Sequence, residues 1–342
     1  MHEIAGMRGA AVIVDTCAGV KAGEEVLLVG DWWTAANGSL ELLAGAISER
    51  GATPTMVLMD VREFDGNEPP ASVSASMQSA EVIIAATRKS IVHSRAGERA
   101  RDTSTRWISL VGLTPEELIE GGLFADYEAI RPAVHRMCDR MSSADVARVT
   151  SDVGTDVTFD LSNRTAAALD GFAHKPGSYA TPGVIEAAIS PVTGSTETKG
   201  TLVVDGAVPD LDIGVVEEPI YLEIEDGRVV SLTGGRAATR IRRAWRRVDR
   251  PESTNIAQLA VGMNPAVRAF SDRFRDNHGR FGNVHVGIGT SRGLLGGDVA
   301  APIHFDGMLA SATLELDGEV VLRNGDSFEL GEDIEIPTGE TG

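Results

Sequence analysis

Short apolar runs alternate with segments of helical spacing through the first 145 residues of the chain, and the rhythm then changes. An amphipathic segment ends at Gly23, and Glu25-Val26-Leu27-Leu28-Val29-Gly30 reads as a buried strand closed by glycine. Leu40 to Arg50 has helical spacing and stops at Gly51, ahead of the strand Thr55 to Met59. A strand at Ala80 to Thr87, a helix at Ala96 to Arg101 and a strand at Arg106 to Val111 follow. Repeated β-α-β units predict an open, mostly parallel sheet covered on both faces. Neither a Gly-x-Gly-x-x-Gly run nor a P-loop follows the first strand, which argues against a nucleotide site there.

From residue 146 onward the pattern is β-rich with hairpin signals. Asp152 to Leu161 alternates, Gly200 to Gly206 is a strand with a turn, and Ile220 to Val230 is a hairpin turning at Asp226-Gly227. A helix is expected at about 236–249, and a second hairpin turns at Asp317-Gly318. The acidic tail from Gly331 should be loosely held. The predicted architecture is an α/β domain over 1–145 with a mostly parallel open sheet, followed by an α+β domain over 146–342.

Charge narrows the partners. The 342 residues are 42% hydrophobic and carry a formal charge of −19, so phosphate backbones would be repelled and nucleic acid is not expected. The arginines between 240 and 250 interleave with Ile241, Trp245 and Val248 as an amphipathic helix with a cationic face, a surface or subunit contact before an anion site. Cys17 and Cys138, far apart in apolar contexts, offer neither a disulfide framework nor a thiolate metal site, which fits a reducing cytoplasm. No signal-peptide pattern and no membrane-length apolar run occur, so the expectation is a cytoplasmic protein with no membrane partner and a small-molecule substrate.

Candidate chemistry lies late in the chain. In His304-Phe305-Asp306 the two polar residues are two apart, so on a strand they point the same way. His285 alternates within Val284-His285-Val286-Gly287-Ile288 and would add an imidazole from a second strand. Two histidines and a carboxylate form a facial set that leaves positions open on a divalent metal, as a catalytic site requires. The competing reading is ordinary polar residues at strand ends. A Gly-x-Ser-x-Gly nucleophile elbow is absent.

The string Asn255 to Pro265, then Val284 to Gly289, then His304-Phe305-Asp306, resembles the C-terminal domain of the thermophilic aminopeptidase T and aminopeptidase S metallopeptidase family. It is similar as well to that family's relatives, the iron-dependent 2,5-dihydroxypyridine 5,6-dioxygenases. Val20 to Leu28, Ser90 to Ser94 and Asp226 to Val230 extend the resemblance over most of the chain. In the peptidases the Gln258 position is a glutamate bridging two metals, and the Arg292 position is a tyrosine; Glu186, or else Glu197, falls near their other metal-binding glutamate. In the dioxygenases the Gln258 position is a histidine ligand and the His285 position is apolar. A neutral amide cannot offset the repulsion between two dications, so one metal is expected, with Gln258 beside His285, His304 and Asp306. The resemblance also implies a homodimer.

Two mechanisms follow. The retained His285 favours a mononuclear hydrolase of a small amide or peptide-like bond, with Zn²⁺, Co²⁺ or Mn²⁺ activating water. Glu186 would be its general base, or else an exposed helix residue; Arg292 would hold a carboxylate or oxyanion, or else be a surface charge. The loop Thr290 to Gly297 would be a mobile lip or a plain connection. The alternative is an Fe²⁺-dependent ring-cleaving dioxygenase acting on a hydroxylated pyridine or similar aromatic. There His278 and His174 would transfer protons or be simple loop histidines, and His93 would line the substrate cavity. A third reading is a small-molecule binder that has lost catalysis.

Overall fold

The computed structural model describes residues 2–102, 105–293, 295–331, 334 and 336. The chain divides into two compact units, Met1–Ala125 with Leu169–Val184 and Asp126–Ala168 with Ile185–Gly342.

The first unit is built on a parallel sheet in the order Thr53–Met59, Glu25–Asp31, Val82–Ala86, Arg106–Ser109, Tyr179–Ala180. Glu25–Asp31 and Val82–Ala86 are buried almost throughout, as strands covered on both faces should be. Helix Ser39–Glu49 ends at Gly51, whose φ of +74° lets its N–H reach back to the Ser48 carbonyl. The N-terminal helix His2–Ala11 runs into a wider π-helical stretch, Val12–Cys17, before the first strand.

The second unit carries two antiparallel sheets. The larger runs Arg228–Thr233, Ile220–Glu225, Lys199–Val204, Asp156–Asp160, Val146–Thr150, Thr313–Leu316, Glu319–Arg323, Ser327–Phe328. Its two predicted hairpins turn where expected. Asp226 and Gly227 have φ of +49° and +69°, and Asp317 and Gly318 have +49° and +83°, the left-handed pair of a tight type I′ turn.

The smaller sheet bears the chemistry, in the order His304–Leu309, Val284–Gly289, Ile256–Gly262, Glu186–Ile189, Ala167–Leu169. Its four longer strands are buried along their whole length, so both faces are covered. On one face Phe305 meets Trp245, ring centres 6.0 Å apart. Trp245 belongs to the arginine-rich helix Arg236–Val248, which buries Ala238, Ile241 and Ala244; of the expected apolar stripe Ile241 is buried, and Trp245 and Val248 are half-buried. Among the described residues no helix is long and apolar enough to cross a membrane. The expected tail beyond Gly331 lies, except for Ile334 and Ile336, outside the described residues.

Candidate metal centre

Register places the polar residues of the smaller sheet on its other face. His304 pairs with Gly289, Asp306 with Gly287 and Met308 with His285 across one strand boundary. Gln258 pairs with Gly287 and Ala260 with His285 across the next, and Gly262 faces Glu186 across the third. Directly opposed residues of an antiparallel pair share a face, so Glu186, Gln258, His285, His304 and Asp306 converge on one side. All five are buried: His285 is 0% exposed, Asp306 and Glu186 4% each, Gln258 and His304 7% each.

Glycines shape the crevice. A Cβ on Gly287 would lie 2.8 Å from Gln258 Cβ, 3.0 Å from Asp306 Oδ1 and 3.0 Å from His304 Cε1, so the missing side chain is the space between the polar groups. A Cβ on Gly262 would lie 2.3 Å from the Arg280 carbonyl and 2.6 Å from that of His278, so this glycine admits the segment from the helix Phe274–Gly279 against the strand. That segment delivers His278. Its Nε2 lies 3.2 Å from Asp306 Oδ2, as His304 Nε2 lies 3.3 Å from the same oxygen. Ligating atoms of His278, His285 and Asp306 all fall within 4.8 Å of one another.

The three imidazoles are not equivalent. His278 Nδ1 donates to the Phe274 carbonyl at 2.9 Å and His304 Nδ1 to the Thr290 carbonyl at 2.8 Å, which directs both Nε2 atoms at Asp306. Burial opposes charge on both rings, yet the charge and hydrogen bonds of Asp306 outweigh it and raise each to about 9. Asp306, despite its own burial, is held well below the usual carboxylate range by these two histidines. His285 is different. Asn283 Nδ2 donates to the Asn277 carbonyl at 3.0 Å and stands 3.1 Å from His285 Nδ1, which must therefore accept. In that tautomer the proton of neutral His285 sits on Nε2, facing Glu186 Oε2 at 3.5 Å, and the neighbouring Gln258 amide, whose Nε2 lies 3.3 Å away, must turn its oxygen toward the ring to accept. Burial pushes His285 down to about 3 and Glu186 up to about 8.

This donor set fits a divalent cation. Asp306 Oδ1 is buried without a hydrogen-bond partner, and a carboxylate oxygen left so in a protein interior fits a cation. Replacing the Nε2 protons of His278 and His304 with one dication would leave the cluster's charge unchanged. Gly287→Ala is expected to overfill the crevice, at a cost of about 1–3 kcal/mol in stability. Metal affinity should fall at least about tenfold, the scale on which displaced neighbours of a ligand act. Competition with a chelating dye checks this; an unchanged affinity would show spare room at Gly287.

The sequence-predicted residues are distributed unevenly. Glu186, Gln258, His285, His304 and Asp306 come together, with Glu186 on a buried strand and not on an exposed helix. Glu197 is exposed, and its carboxylate pairs with Lys199 at 3.4 Å. Arg292 is also exposed, and its backbone N–H bonds the Val299 carbonyl at 3.1 Å. Beyond it, Leu295 packs on Ala188 and Ala260, the small residues beside Glu186 and His285 on the polar face, so this loop is seated on the sheet. His174, by contrast, faces the Thr16 carbonyl at 2.7 Å within the first unit, and His93 sits on a turn of that unit. The sequence marks His278 only as a proton-transfer candidate or a loop histidine. No strand alternation or close spacing ties it to the others, and its approach depends on Gly262.

A search of curated proteins gives no match. Among solved structures, the 2,5-dihydroxypyridine dioxygenase from Pseudomonas putida KT2440 superposes with a TM-score of 0.80 at 20% identity, covering 96% of this chain and 98% of that one. AmpT from Thermus thermophilus superposes with a TM-score of 0.69 at 16% identity, covering 95% and 99%. At these identities the likeness is one of fold, a mixed architecture of parallel and antiparallel sheets. The sequence model of one family, however, matches residues 14–329, nearly the whole chain, and on that match the protein belongs to the 2,5-dihydroxypyridine 5,6-dioxygenase family.

Proposed function

We propose that this protein is a metal-dependent dioxygenase that opens a hydroxylated aromatic ring of the dihydroxypyridine class, with one divalent iron held by His278, His304 and Asp306. The observation that carries the reading is the pair of Nε2 atoms aimed at one carboxylate oxygen at 3.2 and 3.3 Å, in a chain whose family is named for ring cleavage. When bound, iron supplies redox chemistry with O₂ and leaves coordination positions open beside this facial triad.

The chain's own residues do the rest. The Phe274 and Thr290 carbonyls hold the Nδ1 protons and orient both rings. His285 keeps its proton on Nε2 beside Glu186, so this pair holds and moves a proton at the edge of the site. Glu186, raised to about 8, is poised to exchange a proton near neutral pH. Ala188 and Ala260 next to them are covered by Leu295, which makes that side of the site apolar.

Hydrolysis was favoured in the sequence because His285 stands where a peptidase ligand would. The Asn283 amide now supports a different role for that imidazole, since it commits the Nδ1 lone pair and leaves the proton on Nε2. Family membership likewise supports ring opening over hydrolysis.

An oxygen electrode tests the function. Protein reconstituted anaerobically with Fe²⁺ is expected to consume one O₂ per 2,5-dihydroxypyridine, with loss of the ring's ultraviolet absorbance. Zinc-loaded protein should consume none. Amide cleavage by zinc-loaded protein, with no oxygen uptake by the iron form, would overturn the reading in favour of hydrolysis.

A further inference from the structure

The connection between the strands Val284–Gly289 and His304–Leu309 lies over the polar face of the smaller sheet. Its Leu295, 9% exposed, packs on Ala188 and Ala260, beside Glu186 and His285, and against Ala167 of the edge strand. The connection also folds tightly on itself. A Cβ on Gly297 would lie 2.4 Å from the Ser291 carbonyl oxygen, and the Val299 N–H donates to Ser291 Oγ at 3.1 Å.

An arginine distant in sequence holds it in place. Arg164 precedes the edge strand Ala167–Leu169 and reaches two carbonyls at once. Its Nε donates to the Ser190 carbonyl at 2.7 Å, just past the strand Glu186–Ile189, and its Nη2 donates to the Gly296 carbonyl at 3.2 Å. A guanidinium carries its donors in a fixed planar fork, so this one side chain sets the spacing between the Glu186 strand and the residue after Leu295. Arg164 is itself fixed. Its N–H closes a turn on the Leu161 carbonyl at 2.9 Å through Asn163, whose φ of +59° is one that asparagine tolerates. Asp160, just before that turn, accepts from the Ser162 N–H at 3.0 Å and from Ser195 Oγ at 2.6 Å. A second tie joins the same segments, Thr193 Oγ1 donating to Asp298 Oδ1 at 2.6 Å.

We propose that Arg164 is a positioning residue for substrate: it seats Leu295 on the polar face of the smaller sheet and so sets the apolar wall beside Glu186, Gln258 and His285. This rests on the reading of a ring substrate given above. Three alanines receive Leu295 and offer no hydrogen bond to hold it, so its placement depends on the anchor next to it, the Gly296 carbonyl. One methylene more or less against a small substrate is worth about 10- to 200-fold in specificity, so a displaced wall has a measurable effect. That contact is the same in the ground state and the transition state, which places the effect in KM.

The test is a double-mutant cycle of Arg164→Ala and Leu295→Ala in iron-loaded protein, with oxygen uptake on 2,5-dihydroxypyridine as the rate. Each single variant is expected to raise KM about tenfold with kcat within about threefold, and the double variant to raise it no further, because Arg164 acts through Leu295. Arg164→Lys, which keeps the charge and cannot fork to two carbonyls, should fall between wild type and Arg164→Ala, and it takes the place of Arg164→Ala in the cycle if that variant does not fold. A merely structural role would lower the melting temperature and leave KM alone. An unchanged KM, or a double variant whose KM rises by the product of the two single effects, would overturn the proposal.

Trypsin gives a readout independent of turnover. The bond after the exposed Arg292 should be cut about threefold faster or more in the folded Arg164 variant than in wild type. Equal rates of cutting would also overturn the proposal, whatever the reaction. A wild-type iron form that consumes no oxygen sinks the ring-cleavage reading alone, and the trypsin comparison still decides whether Arg164 seats the connection, so the two failures are distinguishable.

Discussion

Asp306→Ala is expected to abolish stable metal binding and oxygen consumption while leaving the chain folded. Asp306 is the one group that both His278 and His304 address, at 3.2 and 3.3 Å through the same oxygen. Its loss removes the only anion in that triad, so metal affinity should fall more than about a hundredfold, beyond what a lost outer partner costs. The fold should survive because the two imidazoles lose the charge that holds their protons. Burial then drives them neutral, which a 7% exposed ring tolerates with its Nδ1 still bonded to a carbonyl. Metal content after dialysis and the circular dichroism of the same sample check both halves. A variant that keeps its metal would remove Asp306 from the ligand set.

The second large effect separates the histidines. His278→Ala should empty the site, again by more than about a hundredfold in affinity, because it deletes an imidazole already oriented through Nδ1. His285→Ala should keep the metal. Its Nδ1 accepts from Asn283 and its proton faces Glu186, so it stands beside the triad as a proton carrier. Removing a general acid or base typically costs about 10²- to 10⁴-fold in turnover, and a loss in that range with unchanged metal content is the expected result. The reverse pattern, metal lost with His285 and kept without His278, would return His285 to the ligand role that its strand position first suggested.

That contrast marks how far the sequence could be read. His304 and Asp306 were legible because strand alternation places residues two apart on one face, and His285 because its own strand alternates visibly. Gln258 was reached only through resemblance. Glu186 lies in Val184-Ile185-Glu186-Ala187-Ala188-Ile189, an apolar run too short to tell a strand from a helix by period, and its burial became evident only with its partners in the sheet. His278 depends on a close approach at Gly262, which leaves no local pattern. The parallel sheet was the easier problem. Its central strands are buried runs punctuated by glycines and capped helices, so hydrophobicity alone outlines them.

The chemistry was harder than the fold. His285 pointed toward hydrolysis on the strength of its position, whereas the role proposed for it rests on which ring nitrogen carries the proton. That assignment rests on Asn283, just before the strand, whose amide donates toward the Asn277 carbonyl. A reading by residue type could not weigh that orientation.

Anomalous diffraction at the iron edge, from crystals loaded anaerobically with Fe²⁺, tests the central claim most directly. The account predicts one iron per chain, bonded to His278 Nε2, His304 Nε2 and an oxygen of Asp306, with His285 outside its coordination sphere. A single peak bonded to His285 and Glu186, or two metal ions per chain, would contradict it.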